Sequence, residues 1–372
     1  MTVASALAVG ALAAGTLAAS GKVLQVQVVR NLPGGPVLSR SVPHGRLDRA
    51  HGAGCAGDVV VERTVYAMGT LLRLELTGHD RWCALAASEA VVAEVGRLER
   101  LLSSWEGESE VWRLNNSPPG RGWPIAGELR SLLEEARWYV VLTGGAFDPG
   151  VGALVAVWDM RGGGRVPSAP ELAAALGASG LQRLGRDSAA GTVTRPSAHW
   201  SLDTGGFGKG VALRSAAAVL RSHGVQRALL DFGGQLLVVG PAREVAVAHA
   251  GRRTEALPWR LRVGGGSVST TSSSERFVAV AGARLGHVLD PRIGRPVPAW
   301  GSVTVVAADA VAADAVSTGL FVLGPDSALS WAAAHPEFGV LVQQFAGDGV
   351  RVRHSSNLQS LLVSSEPEVI TK

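Results

Sequence analysis

From Val61 the chain alternates apolar and polar side chains through VERTVYAMGTLLRLELTG (61–78), which predicts two paired strands turning at Gly69. The period then changes. RWCALAASEAVVAEVGRLERLLSSW (81–105) places apolar residues three and four apart and predicts a long helix. ESEVWRLNNSPPG (108–120) closes that unit on an Asn-Asn-Ser-Pro-Pro breaker. A second helix, a Gly-Gly break and a segment running to Trp158 follow from Ala126, and Ser168 three residues before Glu171 marks a capped helix. Residues 199–240 read as strand, glycine turn, helix and strand, the last being RALLDF before Gly233-Gly234. Segments near 259–270, 276–282, 284–291 and 301–310 read as strands, 311–337 as a helix pair and 338–358 as a closing hairpin. Helices stand between runs of strands without strict βαβ alternation, which predicts an α+β fold.

Length and composition sharpen this picture. The 372 residues, 47% hydrophobic and 18% charged, suffice for a large folded core. A net charge of +4, with scattered basic residues and few aromatics among them, argues against nucleic acid as a partner. Cys55 and Cys83 match no metal spacing; they read as two unrelated thiols, although one bridge between them would be possible. Residues 1–20, MTVASALAVGALAAGTLAAS, carry no charged side chain, and Ala18-Ala19-Ser20 offers small residues for cleavage. They read as a signal peptide or N-terminal membrane anchor in preference to a cytoplasmic disordered tail, so the protein is expected to be exported, periplasmic or tethered facing outside the cytoplasm. Residues 21–57, rich in Gly, Pro and Arg, read as a linker; the domain is expected over 58–363 and a short tail over 364–372.

Four stretches could carry chemistry. In DTGGFGKG (203–210) glycines before a helix invite an anion, Lys209 adds a positive charge, and Asp203 could accept from a ribose hydroxyl or an amide. Neither standard nucleotide fingerprint is present, so a plain packing turn explains the glycines equally well. Asp314 and Thr318, four apart on a helix, share a face and offer two hard oxygen donors suited to Mg²⁺, or else a solvated Asp and a packed Thr. His287 and Asp290 precede a proline-bounded turn; the His could move a proton near neutral pH, or the turn is only structural. Asp148 in GGAFDPG reads as an Asx-Pro turn.

Together and in this order, these pieces resemble the ApbE family of FAD:protein FMN transferases. The resemblance runs from about Val61 to Gly324 and into the last hairpin. It is carried by Met68-Gly69-Thr70, Trp105, Ser109-Glu110-Val111, Leu114-Asn115, Phe147 to Val155 with Trp158, Asp203 to Gly210, His287 to Pro296 and Ala313 to Thr318. It implies an ApbE-like, T-fold-related architecture of two subdomains with the flavin between them. It implies Mg²⁺ held by Asp314, Thr318 and the Gly206 carbonyl, and FAD, as substrate, contacted by Met68, Trp105, Ala146, Phe147, Asp148, Asp203, Lys209 and Leu289. The implied reaction moves FMN from FAD to a threonine of a client flavoprotein, such as a respiratory-complex or extracellular reductase subunit, and releases AMP. His287 is then the candidate general base, and Asp290 its orienting partner or a competing base. An FAD pyrophosphatase would use the same parts with water in place of threonine, and a flavin-binding scaffold would use them without turnover. The chain departs from the family pattern at Trp105, for tyrosine; Gly208, for alanine; Arg214, for aspartate; Gln235, for Asp or Asn; and Ile293, for threonine; TTSSSER (270–276) stands for Thr-Ser-Gly before Glu-Arg. These changes leave the expected metal ligands in place.

Overall fold

A computed structural model describes residues 26–28, 57–251, 256–272, 277–280, 283–347, 349–364 and 369–370. The expected signal or anchor and nearly all of the expected linker lie outside these residues. Among the described residues no helix is long and apolar enough to cross a membrane.

The organising element is a ten-stranded sheet. Its strands lie in the order Val26–Val28, Val59–Ala67, Thr70–Gly78, Arg227–Phe232, Gln235–Val239, Gly266–Ser272, Gly301–Ala307, Gly339–Ala346, Gly349–His354 and Val369–Ile370. That is also their order along the chain, and each adjacent pair is antiparallel. Alternation decides which face each residue takes. Leu72, Leu74 and Leu76 point into the main core, and burying each contributes about 1.5–3 kcal/mol. On the central strands Val303 and Val305 join that core, while Val306 joins a second one behind the sheet. A three-stranded sheet of Arg243–Ala248, Ala256–Val263 and Leu362–Ser364 covers that second face.

Helices cover the first face. In α1 (Arg81–Leu102) the buried positions Ala84, Ala87, Ser88, Val91, Val95, Leu98 and Leu102 fall at helical spacing, and Asp80 caps the start by accepting the Cys83 N–H at 2.7 Å. Cys83 is disulfide-bonded, which corrects the expectation of a free thiol; Cys55 is the sequence's one other cysteine. Next come α2 (Glu110–Asn115), α3 (Gly127–Leu142), α4 (Gly152–Val157) and α5 (Ala169–Ala178). α6 (Gly208–Ser222) packs against α1 and against α7 (Ala310–Leu323), and α8 (Pro325–Ala334) follows. α7 is buried almost all round, as a helix in the middle of a large core must be. α4 and α5 form a small separate core with Trp158 and Leu289, and a cleft opens between this lobe and the sheet.

Candidate functional site

The glycine turn at the cleft is entered by chain without regular secondary structure, not by the strand expected at the start of residues 199–240. Leu202 would need a neighbouring strand to satisfy its backbone. The Asn115 side chain takes that place: its Oδ1 accepts the Leu202 N–H at 2.7 Å and its Nδ2 donates to the Leu202 carbonyl at 2.9 Å. Asp203 N–H donates to the Pro149 carbonyl at 2.7 Å. Chain-distant groups thus fix the turn before α6 begins.

At the start of α6 the nearest anion belongs to the protein. The Asp314 carboxylate, buried on α7, accepts the Gly210 N–H at 3.0 Å through Oδ2 and lies 3.3 Å from Lys209 Nζ through Oδ1. Gly210 permits this approach: a Cβ there would lie 2.4 Å from the Ala310 carbonyl oxygen and 2.7 Å from Val311 Cα. One turn beyond Asp314, Thr318 Oγ1 donates to the Asp314 carbonyl at 3.1 Å. Gly206 closes the group, because a Cβ on it would stand 3.4 Å from Thr318 Oγ1 and 3.3 Å from the Phe147 ring. The three expected metal ligands, drawn from the glycine turn and α7, are therefore neighbours.

The rest of the cleft is built around them. The turn at Met68-Gly69 has positive φ at both residues, 47° and 76°, as a two-residue hairpin loop requires. Met68 N–H donates to Glu99 Oε1 at 2.7 Å. Burial raises the Glu99 carboxyl above its ordinary range, and that hydrogen bond partly offsets the effect. Burial also pushes Asp148 up, although its Oδ1 accepts from the Gly150 and Leu181 N–H groups at 2.7 and 2.9 Å. Phe147 and Phe207 meet edge to face at 6.2 Å. Trp105 is 58% exposed at the rim, with the Arg161 guanidinium 4.0 Å above its ring. Arg161 Nη2 also donates to Ser104 Oγ at 2.9 Å and to Asp203 Oδ2 at 2.7 Å.

One cleft of about 510 Å³ receives His287, Met68, Trp105, Ala146, Phe147, Asp148, Asp203, Lys209, Leu289, Gly206, Asp314 and Thr318. Asp290 does not line it. Its carboxylate is held by Arg292, at 2.9 Å to Nε and 2.8 Å to Nη2, and also accepts the Arg292 N–H at 2.9 Å. Arg292 thus holds Asp290 within its turn, next to the cleft-lining residues Leu289 and Pro291. Arg161, Glu99 and Gln235 line the cleft without having been expected as contacts. Gln235 is 2% exposed, with Nε2 donating to the Ala310 carbonyl at 2.8 Å and Oε1 lacking a hydrogen-bond partner among the described residues. Its Gly-Gly-Gln setting was readable; its burial was not.

The donors near Asp314 suit a hard divalent cation: a carboxylate, a hydroxyl and a backbone carbonyl approachable because Gly206 lacks a side chain. No group of three or more His, Cys, Asp or Glu able to hold a metal occurs among the described residues.

Comparison with known proteins adds independent findings. A family model described as ApbE family matches residues 68–342. The FAD:protein FMN transferase of Klebsiella pneumoniae (strain 342) is 30% identical over 312 residues, covering 80% of this chain and 88% of the relative. The crystal structure of an ApbE protein from Thermotoga maritima aligns with TM-score 0.74 at 27% identity, covering 81% of this chain and 99% of that one. The flavinyl transferase ApbE of Pseudomonas stutzeri aligns with TM-score 0.74 at 26% identity, covering 83% and 98%.

Proposed function

This chain belongs to the ApbE family, and from that premise we propose that it is an FAD:protein FMN transferase using a threonine hydroxyl of a client flavoprotein as acceptor. The client oxygen attacks the FMN-side phosphorus of FAD, the bond from that phosphorus to the bridging oxygen breaks, and AMP leaves. The observation that carries this reading is the convergence of Lys209, Asp314, Thr318, Gly206 and His287 on one cleft from distant parts of the chain.

Each residue has a physical task. Lys209 places a positive charge where the diphosphate would otherwise meet mostly carboxylates. Gly206 lets the ligand approach the backbone. His287 takes the proton that the client hydroxyl loses as it attacks. Asp314, Thr318 and the Gly206 carbonyl would hold Mg²⁺, which when bound neutralises phosphoanhydride charge and stabilises the leaving group. Orienting acceptor and donor in one cleft can contribute roughly 7–11 kcal/mol in a favourable case.

The uncharged stretch 1–20 and the disulfide at Cys83 support a location outside the cytoplasm, where disulfides persist. Cell fractionation of the tagged full chain checks this, and recovery in the cytosol would contradict it. The activity is tested by incubating the protein with FAD, Mg²⁺ and a candidate FMN-binding domain and weighing the client by mass spectrometry. A covalent FMN adduct is expected. Free FMN and AMP without an adduct would mean a pyrophosphatase, and tight FAD binding with neither product would mean a flavin carrier.

A further inference from the structure

We propose that Arg161 is a phosphate-binding residue of the cleft, gripping the diphosphate of FAD through the donors that its contact with Asp203 leaves free. This rests on the transferase reading and extends it to a residue outside the motifs that carry the resemblance. Charge is the first argument. Among the described residues the cleft is lined by the carboxylates of Glu99, Asp148, Asp203 and Asp314, with Lys209 and Arg161 as its lysine and arginine side chains. Lys209 is already paired with Asp314, and Asp314 also takes the Gly210 N–H at the start of α6. The helix start thus serves the protein's own anion, and a further cationic side chain would share the diphosphate charge with Lys209 and with Mg²⁺ held at Asp314.

Geometry supplies the second argument. Both hydrogen bonds of Arg161 use Nη2, to Ser104 and Asp203, so Nε–H and Nη1 have no partner among the described residues. A guanidinium offers its remaining N–H groups as a planar fork that matches phosphate oxygens. Asp203 spends Oδ1 on the Gly205 N–H at 2.8 Å and Oδ2 on Arg161 at 2.7 Å. These contacts let Asp203 aim the guanidinium, and each carboxylate oxygen keeps a lone pair for a ligand donor. The side chain is 35% exposed, so a ligand can reach it without unfolding the lobe. Its stack on Trp105 fixes the remaining torsions.

The test compares FAD, FMN and riboflavin binding to the full chain with Mg²⁺ by flavin fluorescence, for wild type, Arg161→Ala and Arg161→Lys. Circular dichroism verifies that the variants fold. Losing a charge-assisted contact should weaken FAD binding by roughly 10–100-fold. Riboflavin, which carries no phosphate, should change by less than about twofold, and Arg161→Lys should recover part of the loss. Unchanged FAD affinity in Arg161→Ala would overturn the assignment. So would an equal loss for riboflavin, which would mean that the residue acts only through Trp105. Wild-type protein that does not bind FAD would overturn the transferase reading itself.

Discussion

At the residue scale the cleft separates binding from chemistry. Asp314 is buried and shared between Lys209 and the Gly210 N–H. Asp314→Ala should abolish metal-dependent FMN transfer while the protein stays folded; unchanged turnover would remove Asp314 from the metal site. His287→Gln, by contrast, should slow transfer by roughly 10²–10⁴-fold and leave the FAD dissociation constant within about threefold, as expected for a residue that only moves a proton. Glu99 gives a pH-dependent prediction. Burial raises its folded-state pKa, so its ionised form costs stability at neutral pH, and that cost is relieved as pH falls through the raised value. Glu99→Gln should keep an acceptor for Met68 N–H and melt higher than wild type at neutral pH. The gap should close as the pH is lowered toward the ordinary carboxylate range. A gap that stays constant with pH would show that Glu99 ionisation is not the cause.

At the element scale the contact between α6 and α7 sets the metal side of the cleft. Two glycines two residues apart behave differently there. A Cβ at Gly210 runs into the α7 backbone, whereas at Gly208 it meets only Thr204 at 3.8 Å. Gly210→Ala should therefore lower stability by about 1–3 kcal/mol through overpacking and weaken Mg²⁺-dependent activity. Gly208→Ala, which restores the family's usual residue, should be neutral or slightly stabilising, and thermal melts distinguish the two. Most elements were legible because their periods are strong: the leucines of Thr70–Gly78 alternate, and α1 repeats every three to four residues. The segment 199–203 was misread because its backbone partner is a side chain, Asn115, more than eighty positions earlier. Arg161 stayed hidden because RGGGR has no period and its partners, Trp105 and Asp203, lie in other loops. The pairing of Asp290 with Arg292, two residues on, is likewise not legible in the spacing alone.

At the scale of the whole molecule the sheet underlies the cleft, and one covalent tie is made at Cys83. Cys83 lies in the first turn of α1, the helix whose far end leads to Trp105. Reduction should lower the melting temperature, by an amount equivalent to about 2–4 kcal/mol, and Cys83→Ser should reproduce the shift without reductant. A melt insensitive to both would show that the bridge contributes nothing in solution. The strand order has its own consequence. Thr70–Gly78 pairs with Arg227–Phe232, so α1 through α6 form a single excursion whose two ends come home side by side. Met68, on the outgoing side, and Gln235, on the returning side, cannot face one another until that excursion has been gathered in. A polypeptide emerging from a ribosome or a translocation channel N-terminus first therefore carries its opening hairpin with a raw edge until residue 232 is out. Half-made chains would hold no primitive version of the pocket, and a holdase that shields that bare strand is the assistance this topology calls for during biosynthesis.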